Sequence, residues 1–560
     1  MKNFRKKIAL LIAFLFVTSN FILIAQNQNN FEIAKSLDIF SNIVKELNIN
    51  YVDEIEAEKM MKVAIDAMLQ ELDPYTVFIP EEEIEAFEII TTGSYGGIGV
   101  LIHQQEGKTI VSEMYEGFPA QLAGLRAGDE VIKIDGVNIA NKISIDVSDM
   151  IKGPANSSVT LTVNRLGEEN PLDIDISRAI IKIDNVPYSG LINKNIGYIK
   201  LVGFSNNAAK EVKGAIAQLK SRAKLKGLIL DLRGNGGGLM SEAIDIVNLF
   251  VAKDQEVVST KGKIKALNMV HKTKYVPIDT EIPLAVMINS GSASSSEIVA
   301  GALQDLDRAI IIGQRSFGKG LVQNVLPLSY NTRVKITIAK YYIPSGRCIQ
   351  AIDYSLKDKN GHFTTIPDSL INEYQTKSGR KVYDGGGIDP DIKLAHNSFS
   401  QITSNLYGRF LIFDYATKFR SKHQSIAPAE KFEISEEIYE DFLTFLKQKD
   451  YTYKTQHERA LELLKKQAEK NESFKAIEHE FKALEDAIKK DKETDYQKHQ
   501  DEIKRVLKME IVSRYYFAAG KVASSIEKDT ELDKAAEVLN DDAQYHTLLI
   551  PEQEKLLVKK

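Results

Sequence analysis

Cysteine and closely spaced metal ligands are almost missing from this chain of 560 residues. Its single cysteine, Cys348, excludes an intrachain disulfide and a thiolate metal cluster. The nine histidines contain no His-Glu-x-x-His pattern or comparable ligand spacing, so we expect no metal and no cofactor. A long basic stripe is also missing, and the net charge of −5 is small for this length. Nucleic-acid binding therefore has no electrostatic support.

Long apolar runs are missing everywhere except near the N-terminus. Four basic residues open the chain, and the apolar stretch behind them is interrupted at Thr18 to Asn20. This order is typical of a secretory signal, which we assign to residues 1–25, and it predicts an exported protein of the periplasm or cell envelope. The interruption leaves the stretch marginal as a membrane span, although an uncleaved segment would tether the protein to a membrane. The segments concerned are Lys2, Arg5, Lys6 and Lys7, then Ile8 to Val17 and Phe21 to Ala25.

Length and composition predict several soluble domains, of which the first is helical. The hydrophobic content is 43% and the charged content 27%, as in ordinary globular proteins. Met61, Ile65 and Met68 recur three or four positions apart, so we predict a small helical domain over residues 26–92. Such a stripe is more often plain core or a dimer seam than a binding site. The helical regions are therefore the candidates for a homodimer contact.

Glycine turns and β-branched strands replace the helical pattern after Gly93. The order of turns, strands and short helices over residues 93–178 resembles a PDZ domain. The turn formed by Gly96, Gly97, Ile98 and Gly99 would expose backbone N–H groups to a peptide's C-terminal carboxylate. The peptide would then add to the edge of the sheet as a strand. The alternative is that these glycines only make a tight hairpin.

From Ile196 onward, predicted strands alternate with predicted helices. Repeated β-α-β units indicate an α/β core with a largely parallel sheet, which we assign to residues 179–395. Two turns rich in small residues, Arg233 to Gly238 and Asn289 to Ser296, directly follow apolar strands. Active sites of such cores gather where strands end in loops, so these turns are the candidate site.

Glycine is rare after Asp391, and Lys, Glu and Gln are the dominant residues there. Apolar residues such as Phe442, Phe445 and Leu446 recur there at helical spacing. We predict a helical C-terminal extension over residues 396–560, without chemistry of its own. The charge run from Lys489 to Glu493 fits a solvated face or a helix junction.

Residues Gly313 to Lys319 fit the phosphate-loop pattern G-x-x-x-x-G-K. The next residue is Gly320 rather than Ser or Thr, so the magnesium ligand of that motif is missing. The segment from Leu321 to Leu326 alternates like a strand, which removes the helix N-terminus that supports a phosphate cradle. A purely structural interpretation is also available, since Ser294 and Glu297 match a capping box. Capping does not exclude a function for the same serine.

A serine nucleophile with a lysine base accounts for both the serine turn and the glycine-flanked lysine. Serine is a weak nucleophile unless a base takes its proton, and no histidine lies between His271 and His362. Lys319 follows Ser294 along the chain and is the candidate base. Since the reference pKa of lysine is about 10.4, a lysine base has to be desolvated to act at neutral pH.

Three further residues complete this hypothesis. Gln323 lies four residues after Lys319 and shares its face if the segment is a strand, so its amide would hold the lysine amine. The backbone N–H of Ser295 and one from the turn containing Gly237 would form an oxyanion hole.

Several motifs occur in a fixed order between Phe31 and Asp391. They are Leu72 to Thr76, Asp231 to Gly238, Gly291 to Asp305, Ser316 to Gln323, Tyr341 to Arg347 and Gly387 to Asp391. This set resembles the carboxyl-terminal processing peptidases, also called tail-specific proteases. The resemblance implies a crotonase-like peptidase core with an inserted PDZ domain. It also implies Ser294 as nucleophile, Lys319 as general base, Gln323 as the positioning residue, and Gly237 and Ser295 as oxyanion donors.

The same resemblance implies an exported serine endopeptidase that cleaves proteins at or near their C-termini. Its partners would be proteins or peptides with apolar C-terminal tails, recruited by the PDZ domain. Gly236 departs from the family pattern, which often has proline there. The alternative is a non-catalytic PDZ scaffold, against which the intact Ser-Lys-Gln set argues. An acyl-CoA enzyme on a similar core would gain nothing from an export signal or a peptide-binding module.

Overall fold

The computed structural model describes residues 30–359, 361–395, 399–449 and 453–551. It divides into two compact units, of which the first ends at Pro80 and also includes Val325–Ile336. The second unit comprises Glu81–Asn324 and the chain from Thr337 onward. The predicted signal segment, residues 1–25, lies outside the described residues. Within the described ranges, no helix has the length and apolar character needed to cross a membrane.

The first unit contains two helices and the strand that follows them. Helix α1 is described over residues 30–50, and α2 covers Ala57–Gln70. Asp73 stabilises the turn behind α2, because its carboxylate accepts the N–H groups of Tyr75 and Thr76, both at 2.8 Å. Strand β1, Val77–Ile79, then pairs antiparallel with residues 333–335. The motif that begins at Leu72 therefore ends a helix and starts a strand.

The second unit begins with a small β domain. Its elements are α3 (Ile84–Thr92), β2 (Ser94–Gly97), β3 (Val100–Gln105), β4 (Lys108–Met114), α4 (Pro119–Leu122), β5 (Glu130–Ile134), β6 (Val137–Asn138), α5 (Ser144–Ile151), β7 (Ser158–Asn164), β8 (Leu172–Ser177) and β9 (Ala179–Lys182). Strands β3, β4, β5, β7 and β8 form one sheet in that order, and β3 lies at its edge. Alternating residues such as Val159, Leu161 and Val163 are buried in its core. The predicted order of turns, strands and helices is present.

A parallel sheet forms the centre of the second unit. The elements of this region are β10 (Tyr188–Ile192), β11 (Ile196–Lys200), α6 (Ala208–Arg222), β12 (Gly227–Asp231), α7 (Met240–Asn248), β13 (Glu256–Gly262), β14 (Val270–Lys272), β15 (Leu284–Ile288), α8 (Ser295–Asp305), β16 (Ile310–Gly313), β17 (Leu321–Pro327), β18 (Arg333–Tyr342), β19 (Ile352–Lys357), β20 (Phe363–Thr365), β21 (Glu373–Gln375), β22 (Lys381–Tyr383) and β23 (Ile392–Lys393). The sheet order is β10-β11-β12-β15-β16-β23, and only β10 is antiparallel to its neighbour. Every residue of β12 and β15 is buried, as expected for a parallel sheet covered on both faces.

Between residues 401 and 548 the described part of the chain forms a series of helices. They are α9 (Gln401–Gly408), α10 (Leu411–Lys422), α11 (Glu436–Lys447), α12 (Gln456–Lys470), α13 (Phe474–Glu493), α14 (Asp495–Lys498), α15 (Gln500–Ile526), α16 (Thr530–Asn540) and α17 (Asp542–Leu548). Their apolar faces form a core of their own, which includes Phe442 and Leu507. The helical character predicted after residue 396 is therefore present.

Helices α16 and α17 also cover one face of the parallel sheet. Helices α6, α7 and α8 pack on the opposite face. Leu532, Ala535 and Leu539 of α16 are fully or almost fully buried in a cluster with Ile229 and Met287 of the sheet. The region that the sequence presents as an extension thus contributes one of the two layers that bury the sheet.

The helical region also contacts the edge strand of the small β domain. The His103 ring on β3 stacks on Phe410 with centroids 4.2 Å apart. Gln105 Nε2 donates to both carboxylate oxygens of Asp414, at 3.2 and 3.3 Å. Phe517, at a bend inside α15, packs against the core of the β domain. Strand β3 is therefore held by the helices that follow the core.

Candidate active site

Two turns rich in small residues meet at one edge of the sheet. Strands β12 and β15 are parallel neighbours, so the turns that follow them lie at the same end. The Ser292 hydroxyl donates to Leu232 O at 2.8 Å. The Ser296 and Ser295 hydroxyls donate to Asn235 O and Gly238 O, also at 2.8 Å each. Three of the serines in the turn therefore tie it to the glycine turn beside it.

Ser294 differs from these three serines in exposure and backbone conformation. Ser292, Ser295 and Ser296 are at most 1% exposed, whereas Ser294 is half-buried. Ser294 precedes α8 with φ 55° and ψ −113°, which is a strained conformation for a residue with a Cβ. It also lies at the positive end of the helix dipole. Of these four serines, Ser294 is thus the one whose side chain is accessible.

Glu297 joins the serine turn to the lysine loop. Its side chain is fully buried in the first turn of α8. Oε2 accepts the backbone N–H groups of Ser294 at 2.8 Å and Lys319 at 2.9 Å. Oε1 accepts the Ser316 hydroxyl at 2.6 Å and the Gly318 N–H at 2.7 Å. The predicted capping arrangement is present, and the same carboxylate fixes the loop that carries the lysine.

Burial and hydrogen bonding act in opposite directions on this carboxylate. Burial raises the pKa of Glu297 above its ordinary value, and the hydrogen bonds from Ser316, Lys319, Gly318 and Ser294 limit the rise. The bonds are directed at both oxygens, so the ionised form is the one that satisfies every donor. Burial and the nearby Glu297 charge also raise the pKa of Tyr341. The Tyr341 hydroxyl thus stays protonated and donates to Ser294 O at 3.3 Å.

The loop around Lys319 does not have the geometry of a phosphate cradle. The N–H groups of Gly318 and Lys319 are used by Glu297, and the Gly320 N–H donates to Gln350 Oε1 at 2.7 Å. From Leu321 the chain continues as β17 rather than as a helix. The structure therefore agrees with the rejection of a nucleotide site. Gln323, on β17, donates from Nε2 to Thr337 Oγ1 at 3.2 Å.

Gly237 lies directly against the candidate nucleophile. A Cβ atom at this position would be 2.8 Å from Ser294 Cβ and 2.9 Å from Ser295 N, so only glycine fits. Its φ of 100° also favours glycine. The Gly237 N–H donates to Asn235 Oδ1 at 2.9 Å. The structure brings Gly237, Ser294 and Ser295 together, with the Gly237 N–H engaged by a neighbouring side chain.

The glycine segment of the small β domain is only partly a turn, contrary to the sequence expectation. Gly96 and Gly97 belong to β2 and pair with Ile180 and Ala179 of β9. The side chain of Ile98 is completely buried in the domain core. Gly99, with φ 79°, turns the chain into β3. The difference arises because β9, far along the chain, supplies a pairing partner that local sequence does not reveal.

Sequence reasoning missed two parts of the site. It interpreted Glu297 only as a helix cap, although a carboxylate inside a run of small and apolar residues is a signal for a buried partner. It assigned no role to Asp231 and Arg233, which form an ion pair at 2.8 Å where β12 meets the glycine turn. Arginine directly after an apolar strand was the available signal.

We expect Glu297→Gln to lower kcat by about 10²-fold and the free energy of unfolding by about 2–4 kcal/mol. An amide offers one acceptor oxygen, so donors at the other position lose their partner while Ser294 and Lys319 lose their common anchor. Steady-state cleavage rates and urea unfolding measure the two effects. Glu281→Gln, at an exposed glutamate of the same core, is the matched control. Unchanged kcat in Glu297→Gln would show that the anchor is dispensable.

Comparisons with known proteins identify three regions of the chain. The model for peptidase family S41 matches residues 195–356, a PDZ-domain model matches residues 110–165, and a model described as a probable PDZ-protease C-terminal helical domain matches residues 402–539. The carboxy-terminal-processing protease of Bartonella bacilliformis is 38% identical over 353 residues, which cover 62% of this chain and 81% of the relative.

One further relative and one solved structure complete the comparisons. The carboxy-terminal processing protease CtpA of Bacillus subtilis is 28% identical over 466 residues, which cover 81% of this chain and 95% of the relative. Among solved structures, the photosystem II D1 C-terminal processing protease is 26% identical with a TM-score of 0.35. That comparison covers 66% of this chain and 95% of the other.

Proposed function

The chain belongs to the carboxy-terminal processing proteases of peptidase family S41, and on this basis we propose that Ser294 and Lys319 form its catalytic dyad. The protein is a serine peptidase with a PDZ domain. The family it belongs to favours a catalytic function over that of a non-catalytic scaffold. One observation carries the assignment of the dyad. Glu297 binds the backbones of Ser294 and Lys319 through the same carboxylate oxygen.

Acylation requires a proton to leave the Ser294 hydroxyl as its oxygen attacks the scissile carbonyl. In the proposed mechanism the neutral amine of Lys319 accepts that proton, and the tetrahedral intermediate carries the negative charge on the former carbonyl oxygen. Collapse of the intermediate breaks the C–N bond, and the Lys319 ammonium protonates the leaving amine. Water, deprotonated by Lys319, then attacks the acyl-enzyme. The ester C–O bond to Ser294 breaks, and the Lys319 ammonium returns the proton to Ser294 Oγ, which restores both residues. Gln323 is the proposed positioning residue of the amine.

The N–H groups of Gly237 and Ser295 are the proposed oxyanion donors. Their support is proximity, since Gly237 lies against both Ser294 and Ser295. The Gly237 N–H has to be released by Asn235, or shared between Asn235 and the oxyanion, when a substrate enters. Such donors act where charge develops, so they lower the barrier more than they strengthen substrate binding.

Substrates of this protein are proteins or peptides, and we assign their recruitment to the PDZ domain. The unpaired side of the edge strand β3 offers backbone groups to which an extended apolar tail can add as a strand. Ile98 and Gly99, directly before β3, remain the proposed carboxylate site together with Gly96 and Gly97 in β2.

The finer features of the protein are part of the same proposal. The repeated parallel β-α units support a crotonase-like core, and α1 with α2 supports an N-terminal helical domain. Export to the periplasm or cell envelope rests on the sequence of residues 1–25, as does a membrane tether if they are retained. A homodimer through helical regions rests on exposed apolar residues such as Leu37 and Met68, which are 63% and 62% exposed.

The function is tested with the chain lacking residues 1–25 and an unfolded protein that ends in an apolar tail. We expect fragments with new C-termini by mass spectrometry. We also expect kcat/KM to fall roughly tenfold or more when the tail ends in charged residues, about 1.4 kcal/mol of recruitment. Equal cleavage of both substrates would overturn recruitment by the PDZ domain. Tight binding of the apolar tail without cleavage would support the scaffold instead.

A further inference from the structure

Arg233, the residue that opens the glycine turn, is held from two sides. On the sheet side, its Nε and Nη2 donate to Asp231 at 3.1 and 2.8 Å. Lys200 Nζ adds a bond of 2.7 Å to Arg233 O. On the other side, Arg233 Nη2 donates to Asp529 Oδ2 at 2.7 Å and Nη1 to Glu531 Oε2 at 2.8 Å. Side chain and backbone of Arg233 are thus both fixed.

The two outer carboxylates belong to the N-terminus of α16. Asp529 Oδ1 caps the helix by accepting the N–H groups of Glu531 and Leu532, both at 3.1 Å. The same oxygen accepts Arg233 Nη1 at 3.3 Å, and Oδ2 accepts Arg233 Nη2. Glu531 is 8% exposed, and its other oxygen accepts Gln314 Nε2. Gln314 directly follows β16 and starts the loop that leads to Lys319. One glutamate thus contacts both loops of the candidate site.

We propose that Asp529 and Glu531 are positioning residues of the catalytic centre, acting through Arg233 on the glycine turn and through Gln314 on the lysine loop. This inference rests on the proposed function. Glu297 joins the serine turn and the lysine loop from within the core, and Glu531 joins the glycine turn and the lysine loop from the helical layer. The helical region then has a part in catalysis although none of its residues belongs to the dyad.

The charges around Arg233 explain why carboxylates at the start of α16 can hold this arginine in place. Burial opposes ionisation of Asp231, but Lys200 and Arg233 outweigh it, so the pKa of Asp231 lies below its ordinary range. The single negative charge of Asp231 balances only one of the two positive charges of Lys200 and Arg233. Asp529 and Glu531 supply further negative charge where Arg233 reaches the helical layer. Removing either carboxylate weakens the fixation of Arg233 and of the turn behind it.

The experiment compares Glu531→Gln and Asp529→Asn with Glu537→Gln in the full chain lacking residues 1–25. Glu537 lies on the same helix in an exposed ion pair with Lys534, so its variant controls for charge loss on α16. We expect kcat to fall about tenfold to a hundredfold in the first two variants, with KM within about twofold, because a displaced oxyanion donor is felt mainly in the transition state. Glu537→Gln should match the wild type in both parameters.

A double variant with Arg233→Lys separates positioning from general weakening. If Glu531 acts through Arg233, adding Glu531→Gln to Arg233→Lys lowers kcat far less than it does in the wild type. Unchanged kcat in both Glu531→Gln and Asp529→Asn would overturn the proposal. The proposal would also be overturned if kcat fell only in proportion to the folded fraction, as measured by circular dichroism at the assay temperature. If Glu531→Gln does not fold, Asp529→Asn decides. A wild-type chain that cleaves nothing would instead refute the proposed function.

Discussion

Ser294→Ala is expected to lower kcat by about 10⁴-fold or more while the chain stays folded. The hydroxyl is the proposed nucleophile, and its loss removes the covalent pathway. The backbone N–H of residue 294 still donates to Glu297, so α8 keeps this cap and the two loops keep their anchor. Cleavage of a tailed protein, followed by gel and mass spectrometry, gives the rate.

Ser290→Ala is the matched control, because Ser290 lies in the same turn but is exposed. It should cleave at the wild-type rate. Ser292→Ala and Ser296→Ala should mainly affect stability, since their hydroxyls hold Leu232 and Asn235. Native activity in Ser294→Ala, or a loss of activity as deep in Ser290→Ala, would show that another residue attacks the substrate.

Lys319→Ala and Lys319→Arg should both lower kcat by about 10³-fold or more. Arginine keeps the positive charge, but it stays protonated and cannot accept the serine proton. The comparison therefore separates a base from a purely electrostatic role. Cleavage of the same tailed protein by the wild type and by both variants gives the rates.

Lys253→Arg, at an exposed lysine of the same domain, controls for the substitution itself. A Lys319→Arg enzyme with substantial activity would contradict the role of Lys319 as a base. The charge would then suffice, and the proton acceptor would have to be sought among other residues near Ser294.

Local patterns predicted the four central strands of the sheet because these strands are mostly apolar. Segments such as Gly227–Asp231 and Leu284–Ile288 are buried on both sides, and the small-residue turns behind them mark the strand ends. The serine turn and the glycine-flanked lysine could be recognised for the same reason. Each is a short, contiguous motif whose residue types indicate its chemistry.

Contacts between distant segments were outside the reach of such patterns. Glu531 contacts Arg233 across nearly 300 residues, and no local periodicity indicates that α16 rather than α13 lies on the sheet. The pairing of Gly96 with Ile180 is a similar case. Capping at Ser294 was predictable, but the second use of the Glu297 carboxylate required the lysine loop to be placed in space.

Some motifs that resemble the family pattern turn out to support the site rather than to contact the dyad. Arg347, which is 1% exposed, pairs with Asp305 at the end of α8 at 2.9 Å. Asp391 accepts Arg380 Nη1 at 2.6 Å and the Ile311 N–H at 2.7 Å. These pairs fix the end of α8 and the strand beside it. Motif residues of this kind indicate a fold, whereas function has to be argued from the site.

Helices α16 and α17, which cover one face of the parallel sheet, follow all of its strands in the sequence. They are therefore synthesised after those strands. Until residues 530–548 have left the ribosome, Ile229, Met287 and their neighbours have no apolar layer on that face. The strands, the serine turn and the lysine loop exist by then, but their packing is unfinished. The layer that buries this face of the sheet behind the proposed proteolytic centre is therefore the last of its layers to be made.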